Sequence, residues 1–186
     1  MENYILTYSK IKFNPLKAEE KHIKIEDIAH ALSLLTRANG HIKHFYSIAQ
    51  HAINCYREAQ ARDYSPRIQL GCLLHDASES YISDLTRPVK VQMERYNNIE
   101  EKLQQIIYKK YDLGDLTEGE KSKIKKIDNA LLSYELKELM NYEVKEINEE
   151  TVLKHDISQR NFQSVENEFI HIFNRLQKQK KGTSSS

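Results

Sequence analysis

The 186 residues include no tryptophan, two cysteines, three prolines and five glycines. Each scarcity excludes something. Cys55 and Cys72 form no CxxC pair, which argues against both a disulfide framework and a thiolate zinc site. Each reads as a small apolar packing residue. With so few glycines and prolines, the turn signals that many strands would need are missing, and an all-α fold is expected. Long apolar runs are also absent. No stretch approaches the roughly 20 residues of a membrane helix, and MENYILTYSK lacks the apolar core of a secretory signal, so a soluble cytoplasmic protein is expected. An excess of one charge is missing too. Lys and Arg number 28 against 27 Asp and Glu, a net charge of +1 that gives no support to a duplex-wrapping basic surface.

Histidine, at eight, and tyrosine, at eleven, are present in number. A metal bound here would have to take imidazole and carboxylate ligands, which suit Zn, Mn, Fe or Co and, with more carboxylate, Mg.

Apolar spacing predicts the helices. Ile25, Ile28, Ala29, Leu32 and Leu35 share one face of a first helix that stops at Asn39-Gly40. A second stripe runs from about Phe45 to Ala59. Ser65-Pro66 has the form of an N-cap with proline at the first helical position, opening a third helix that ends at His75-Asp76. A loop is expected around Ser83 to Pro88, then an amphipathic helix from Ile99 to Tyr111. Thr117 and Glu120 have capping-box spacing ahead of Ile124, Ile127, Leu131, Leu136 and Leu139. A last helix is expected over Phe162 to Leu176. The first fifteen residues read as a short strand pair or an extended arm. One domain over residues 1–177, with its core at about 25–139, is followed by a polar tail, 178–186, that has no reason to order.

His75-Asp76 places two ligands side by side at the polar end of an apolar helix. The dipeptide alone is weak, since His155-Asp156 repeats it in a polar segment that reads as surface. Context separates the two. His51 lies midway along helix two among small residues, and Asp128 sits between apolar positions, where a buried carboxylate needs a partner or a cation. Two imidazoles and two carboxylates from three helices would together satisfy a divalent ion. His41 and His44 are close enough in sequence to His51 to take its place. His22, His30, His155 and His171 read as structural or surface, and the lysines from Lys121 to Lys126 as a solubilising face.

The order His51, His75-Asp76, Asp128 resembles the metal-dependent phosphohydrolases of the HD-domain type. The run from His75 to Lys90, with Glu79, Asp84, Pro88 and Lys90 at fixed offsets, is similar to that of the bacterial 5′-deoxynucleotidase branch. The resemblance covers roughly Ile25 to Leu139. It implies an HD-domain-like helical bundle and one divalent metal (Mn, Co, Zn, Fe or Mg) on His51, His75, Asp76 and Asp128. Glu79 is implied as the catalytic carboxylate, with Arg37, Asp84, Thr86 and Arg87 as nucleotide-holding groups and Lys90 as a further phosphate ligand. No histidine lies between Asp76 and Lys154, which favours one metal over two. The branch carries an aromatic residue directly after the arginine, where this chain has Ala38, so deoxyribose selectivity does not carry over.

The expected activity is release of phosphate from a (deoxy)nucleoside 5′-monophosphate or a related small phosphate ester. A nucleoside-triphosphate or alarmone-type hydrolase and an idle nucleotide-sensing module are the alternatives. The expected partner is that small ester, with no nucleic-acid polymer and no membrane, and a lean core is compatible with a homodimer.

Overall fold

The computed structural model describes residues 3–183, with side chains described through Gln179. The fold is helical apart from one short antiparallel pair, β1 (Ile5–Leu6) and β2 (Lys12–Phe13), so the N-terminal segment is a strand pair. Phe13 drives it inward, fully buried and stacked on Tyr81 at 4.2 Å between ring centroids. Then come α1 (Ile25–Leu34), α2 (Ile48–Ala61) and α3 (Pro66–Leu74). Two one-turn helices, α4 (Glu79–Ile82) and α5 (Arg87–Lys90), flank the expected loop, whose Ser83 has φ 62°. Three long helices complete the chain: α6 (Glu94–Lys110), α7 (Glu118–Met140) and α8 (Phe162–Thr183).

Local chemistry sets these bounds. Ser47 and Gln50 form a reciprocal capping box, which starts α2 at Ile48 rather than near Phe45. Ser65 accepts from the Ile68 N–H with Pro66 in the first turn, as the sequence suggested. Thr117 and Glu120 cap α7 in the same reciprocal way. Two helices exceed their expected spans. α6 begins at Glu94, five residues before Ile99, and α8 runs on to Thr183 because Gln177, Lys178 and Gln179 are good helix formers. The segment expected to be a disordered tail is therefore helical through Thr183, and residues 184–186 lie outside the described residues.

α2 and α3 pack against each other, α7 lies across both, and α8 crosses α1 and α3. Fully buried Ile28, Leu32, Ile53, Leu70, Leu73, Leu74 and Phe169 fill the centre. α3 and α7 approach closely because position 71 is glycine. A Cβ there would stand 2.4 Å from Ile124 Cδ1. That contact sets the end of α3 beside the middle of α7. Among the described residues, no helix is long and apolar enough to cross a membrane.

One element of the fold had no signal in the sequence. α2 carries a buried polar stripe of Gln50, His51, Asn54 and Glu58, and the irregular segment before α8 lies along it. Gln50 donates to the Ser158 carbonyl, Asn54 donates to the Asp156 carbonyl, and Glu58 accepts from the Val152 and Leu153 N–H groups. His155, expected at the surface, is buried with Nε2 2.9 Å from Glu58. The surface assignment fails because its partner is 97 residues away.

Candidate functional site

The site begins where α1 ends. Leu35 turns the chain into extended backbone, and Thr36 and Ser47 form an isolated antiparallel bridge. The Arg37 N–H donates to the Tyr46 carbonyl, closing a loop whose Ala38 and Asn39 have φ of 48° and 50°. Left-handed backbone at alanine costs roughly 1–2 kcal/mol, strain held next to Arg37. The loop aims the Arg37 guanidinium inward, 3.5 Å from Asp76 and 3.4 Å from Glu135.

His51 is fully buried on α2, His75 and Asp76 follow the last turn of α3, and Asp128 lies midway along α7. Their donor atoms converge. His51 Nε2 is 3.2 Å from His75 Nε2, 3.3 Å from Asp128 and 3.9 Å from Asp76. His75 Nε2 is 3.2 Å from Asp76 and 3.5 Å from Asp128. Donors at about 2.1 Å from one ion stand roughly 3.0 Å apart at right angles and about 3.4 Å apart at tetrahedral angles.

Hydrogen bonds at the far ring nitrogens decide what this convergence means. His51 Nδ1 is 2.7 Å from the Glu135 carboxylate, and His75 Nδ1 is 2.8 Å from the Cys72 carbonyl. Both partners are acceptors, so both Nδ1 atoms carry the proton. In the neutral imidazoles each Nε2 is then a bare lone pair, and the two face each other with carboxylates alongside. Only a cation or an added proton relieves that arrangement. The donor set therefore fits a divalent metal ion, each histidine being oriented from behind as metal ligands commonly are.

Charge balance follows the same geometry. Burial and Arg37 lower the His51 pKa, but Glu135 and Asp128 outweigh them and hold it raised. For His75 burial is overcome by Asp76 and Asp128, and its pKa stands well above the usual imidazole value. Asp76 and Asp128 are held low by the two histidines despite burial. Burial also opposes the Arg37 charge, which Glu135, Asp76 and Asp128 keep firmly in place.

Cys55, one turn beyond His51, brings its Sγ within 3.5 Å of Nε2, and His51, Cys55 and His75 could also hold an ion. Burial, reinforced by Asp128, pushes the Cys55 thiol well above its ordinary pKa. Ligation needs the thiolate, so Asp76 and Asp128 are the better completion of the set.

Asp128 faces two ways. One carboxylate oxygen meets the histidines, and the other accepts from Lys125 at 2.6 Å. Glu79 opens α4 and is buried, with Oε2 lacking a hydrogen-bond partner. Burial first, then Asp76 and Asp84, raise its pKa well above the carboxylate range, against Arg37 and Lys90. Oxygens of Glu79, Asp84 and Glu100 lie within 4.8 Å of one another.

Other sequence candidates fall outside the cluster. Lys90 pairs with Glu100 at 2.6 Å and Asp84 at 3.5 Å, so its charge is spent on carboxylates rather than held for phosphate. Thr86 and Arg87 lie exposed at the start of α5. His44 donates from Nε2 to the Ile157 carbonyl, and His41 is exposed, so neither replaces His51.

Glu135 was missed. It lies two helical turns after Asp128 and is buried between His51, Arg37 and Tyr46, whose hydroxyl donates to it at 2.9 Å. The seven-residue spacing from Asp128, which returns to the same helix face, was an available signal, as were Leu131 and Leu139 at i−4 and i+4.

No family model matches the chain. It is 37% identical over 111 residues to the uncharacterized protein YfdR of Escherichia coli strain K12, covering 60% of each chain. It is 34% identical over 97 residues to the uncharacterized protein RCAP_rcc00048 of Rhodobacter capsulatus, covering 49% of each. The chain thus spans 60% and 49% of the length of these two curated relatives.

Proposed function

We propose that this chain is a metal-dependent phosphohydrolase that releases phosphate from a nucleotide or a related small phosphate ester. One observation carries the reading: two imidazoles whose Nδ1 atoms are engaged from behind turn their Nε2 atoms toward each other and toward two carboxylates. The resemblance to HD-domain phosphohydrolases points the same way. His51, His75, Asp76 and Asp128 would hold one divalent ion, which supplies Lewis-acid polarisation of a phosphoryl oxygen and an acidified water.

The chain's own residues supply the rest. Arg37, charged and pre-oriented, offers a planar fork of N–H donors to the phosphate. Glu79 is kept neutral by burial and by Asp76 and Asp84, which suits it to donate a proton to the leaving ester oxygen as the P–O bond breaks. Asp84 beside it accepts hydroxyl donors of the sugar.

The test is a phosphate-release assay over nucleoside mono-, di- and triphosphates with Mn²⁺, Co²⁺, Zn²⁺ or Mg²⁺. Activity is expected with at least one ion and lost on chelation. Glu79→Ala should keep bound metal and lose turnover. Hydrolysis that survives both chelation and Asp76→Ala contradicts the proposal.

A further inference from the structure

The cluster opens on one side into a cavity of about 250 Å³. His75, Asp76 and Asp128 form its floor, and Tyr108 of α6 with Lys121 and Lys125 of α7 form its walls. Neither Arg37 nor Glu79 nor Asp84 lines it. The two lysines stand one turn apart on one face of α7, a placement that a solubilising face does not require.

We infer that this cavity is a subsite for a second phosphoryl group on the substrate, so that the site takes a nucleoside polyphosphate in preference to a simple monophosphate. The inference rests on the phosphohydrolase reading above and names the substrate class for it.

Three features support this. The walls present donors. Both lysines carry ammonium groups, and Tyr108 adds a phenolic hydroxyl.

Charge balance is the second feature. With a divalent ion on the floor, Asp76 and Asp128 are neutralised and the two ammonium groups remain. The present partner of Lys121 holds it weakly. Lys121 pairs with Glu118, a side chain 89% exposed, and such surface pairs contribute little. Lys125 pairs with the outward oxygen of Asp128, which places its charge next to the floor.

The third is size and direction. A cavity of this volume falls below the roughly 300–1,000 Å³ of pockets that hold a whole ligand, so it suits a portion of one. The flank formed by Glu79, Asp84 and Glu100 is rich in acceptors and suits hydroxyl groups. The two flanks therefore assign opposite ends of the substrate, the sugar toward α4 and the phosphate chain toward α7.

The experiment is calorimetric titration of the protein in excess Mg²⁺ with inorganic pyrophosphate and with orthophosphate, alongside KM for a nucleoside mono- and triphosphate. Wild type should bind pyrophosphate about tenfold or more tighter than orthophosphate, the scale of one charge-assisted contact. Lys121→Gln, at a residue that contacts none of the four ligands, should remove most of that preference and raise KM for the triphosphate more than for the monophosphate. Lys125→Gln should do likewise, and Lys121→Arg should retain it. A nucleoside diphosphate with the same dependence on Lys121 shows that the subsite reads an esterified chain, whereas dependence seen for free pyrophosphate alone overturns the substrate assignment. Equal affinity for the two inorganic ions, or equal losses in Lys121→Gln, overturns the inference and leaves phosphohydrolysis standing. Lysine-dependent pyrophosphate binding without hydrolysis of any ester would uphold the subsite and remove the proposed function.

Discussion

Glu135 offers the most informative single perturbation. Its carboxylate accepts from His51 Nδ1 at 2.7 Å and from the Tyr46 hydroxyl at 2.9 Å, and it stands 3.4 Å from the Arg37 guanidinium. Glu135→Gln keeps the shape and one acceptor oxygen. It removes the charge and turns an N–H₂ toward one of three donors, so at least one partner goes unanswered. His51 then loses part of the field that raises its pKa, and its acceptor as well wherever the N–H₂ turns toward Nδ1 rather than toward Arg37. Loss of such a supporting partner typically lowers metal affinity about 10–100-fold, or about 1.4–2.7 kcal/mol. Arg37 retains only Asp76 as a close partner, and breaking a buried pair costs roughly 3–5 kcal/mol, so the melting temperature should also fall. Calorimetric Mn²⁺ titration gives the first number and thermal melting the second. Proton NMR of the metal-free protein should show the His51 pKa lowered in the variant. Mn²⁺ affinity within twofold of wild type would refute the claim that the Glu135 charge supports His51 as a ligand.

Three further outcomes follow from other parts of the structure. Glu79 has a raised pKa in the fold, so wild-type stability declines as pH rises from about 4.5 through that raised value; Glu79→Gln, which stays neutral, should show a higher melting temperature than wild type near pH 8 under chelation. A difference that widens toward acid would contradict this sign. Gly71→Ala forces a Cβ toward Ile124 and should cost about 1–3 kcal/mol, with Ile124→Val restoring part of it in the double variant, as thermal melts can test. Glu58→Gln should cost about 1–3 kcal/mol and speed amide exchange at Val152 and Leu153, whose N–H groups Glu58 now receives; unchanged exchange there would show that this contact does not hold the segment down.

What the sequence revealed divides by range. Ser65-Pro66 and Thr117 to Glu120 announced helix starts because capping chemistry is complete within four residues. His51, His75, Asp76 and Asp128, which the fold brings together, stood out as ligand-type side chains among small residues, at the polar end of an apolar helix and between apolar positions, in the order of the HD-domain pattern. Glu135 stands beside Tyr134, Lys137 and Glu138, where an acid looks like part of a solvated face, although Leu131 and Leu139, one turn away on either side, share its helix face. His155 failed for the same reason, its value depending on Glu58 far along the chain. Lys121 and Lys125 read as solubilising because no sequence pattern shows that the end of α3 brings a cavity to their face of α7. Thr86 and Arg87 were assigned to substrate on motif position, and the chain places them exposed at the start of α5, outside the four-residue cluster.

The central claim is that four side chains from three helices form one divalent metal site. Anomalous scattering from crystals of the Mn²⁺-loaded protein tests it most directly. A single strong peak is predicted between His51 Nε2, His75 Nε2, Asp76 and Asp128, and it should vanish in Asp76→Ala. A peak elsewhere, such as among Glu79, Asp84 and Glu100, or no peak under loading, would contradict the account.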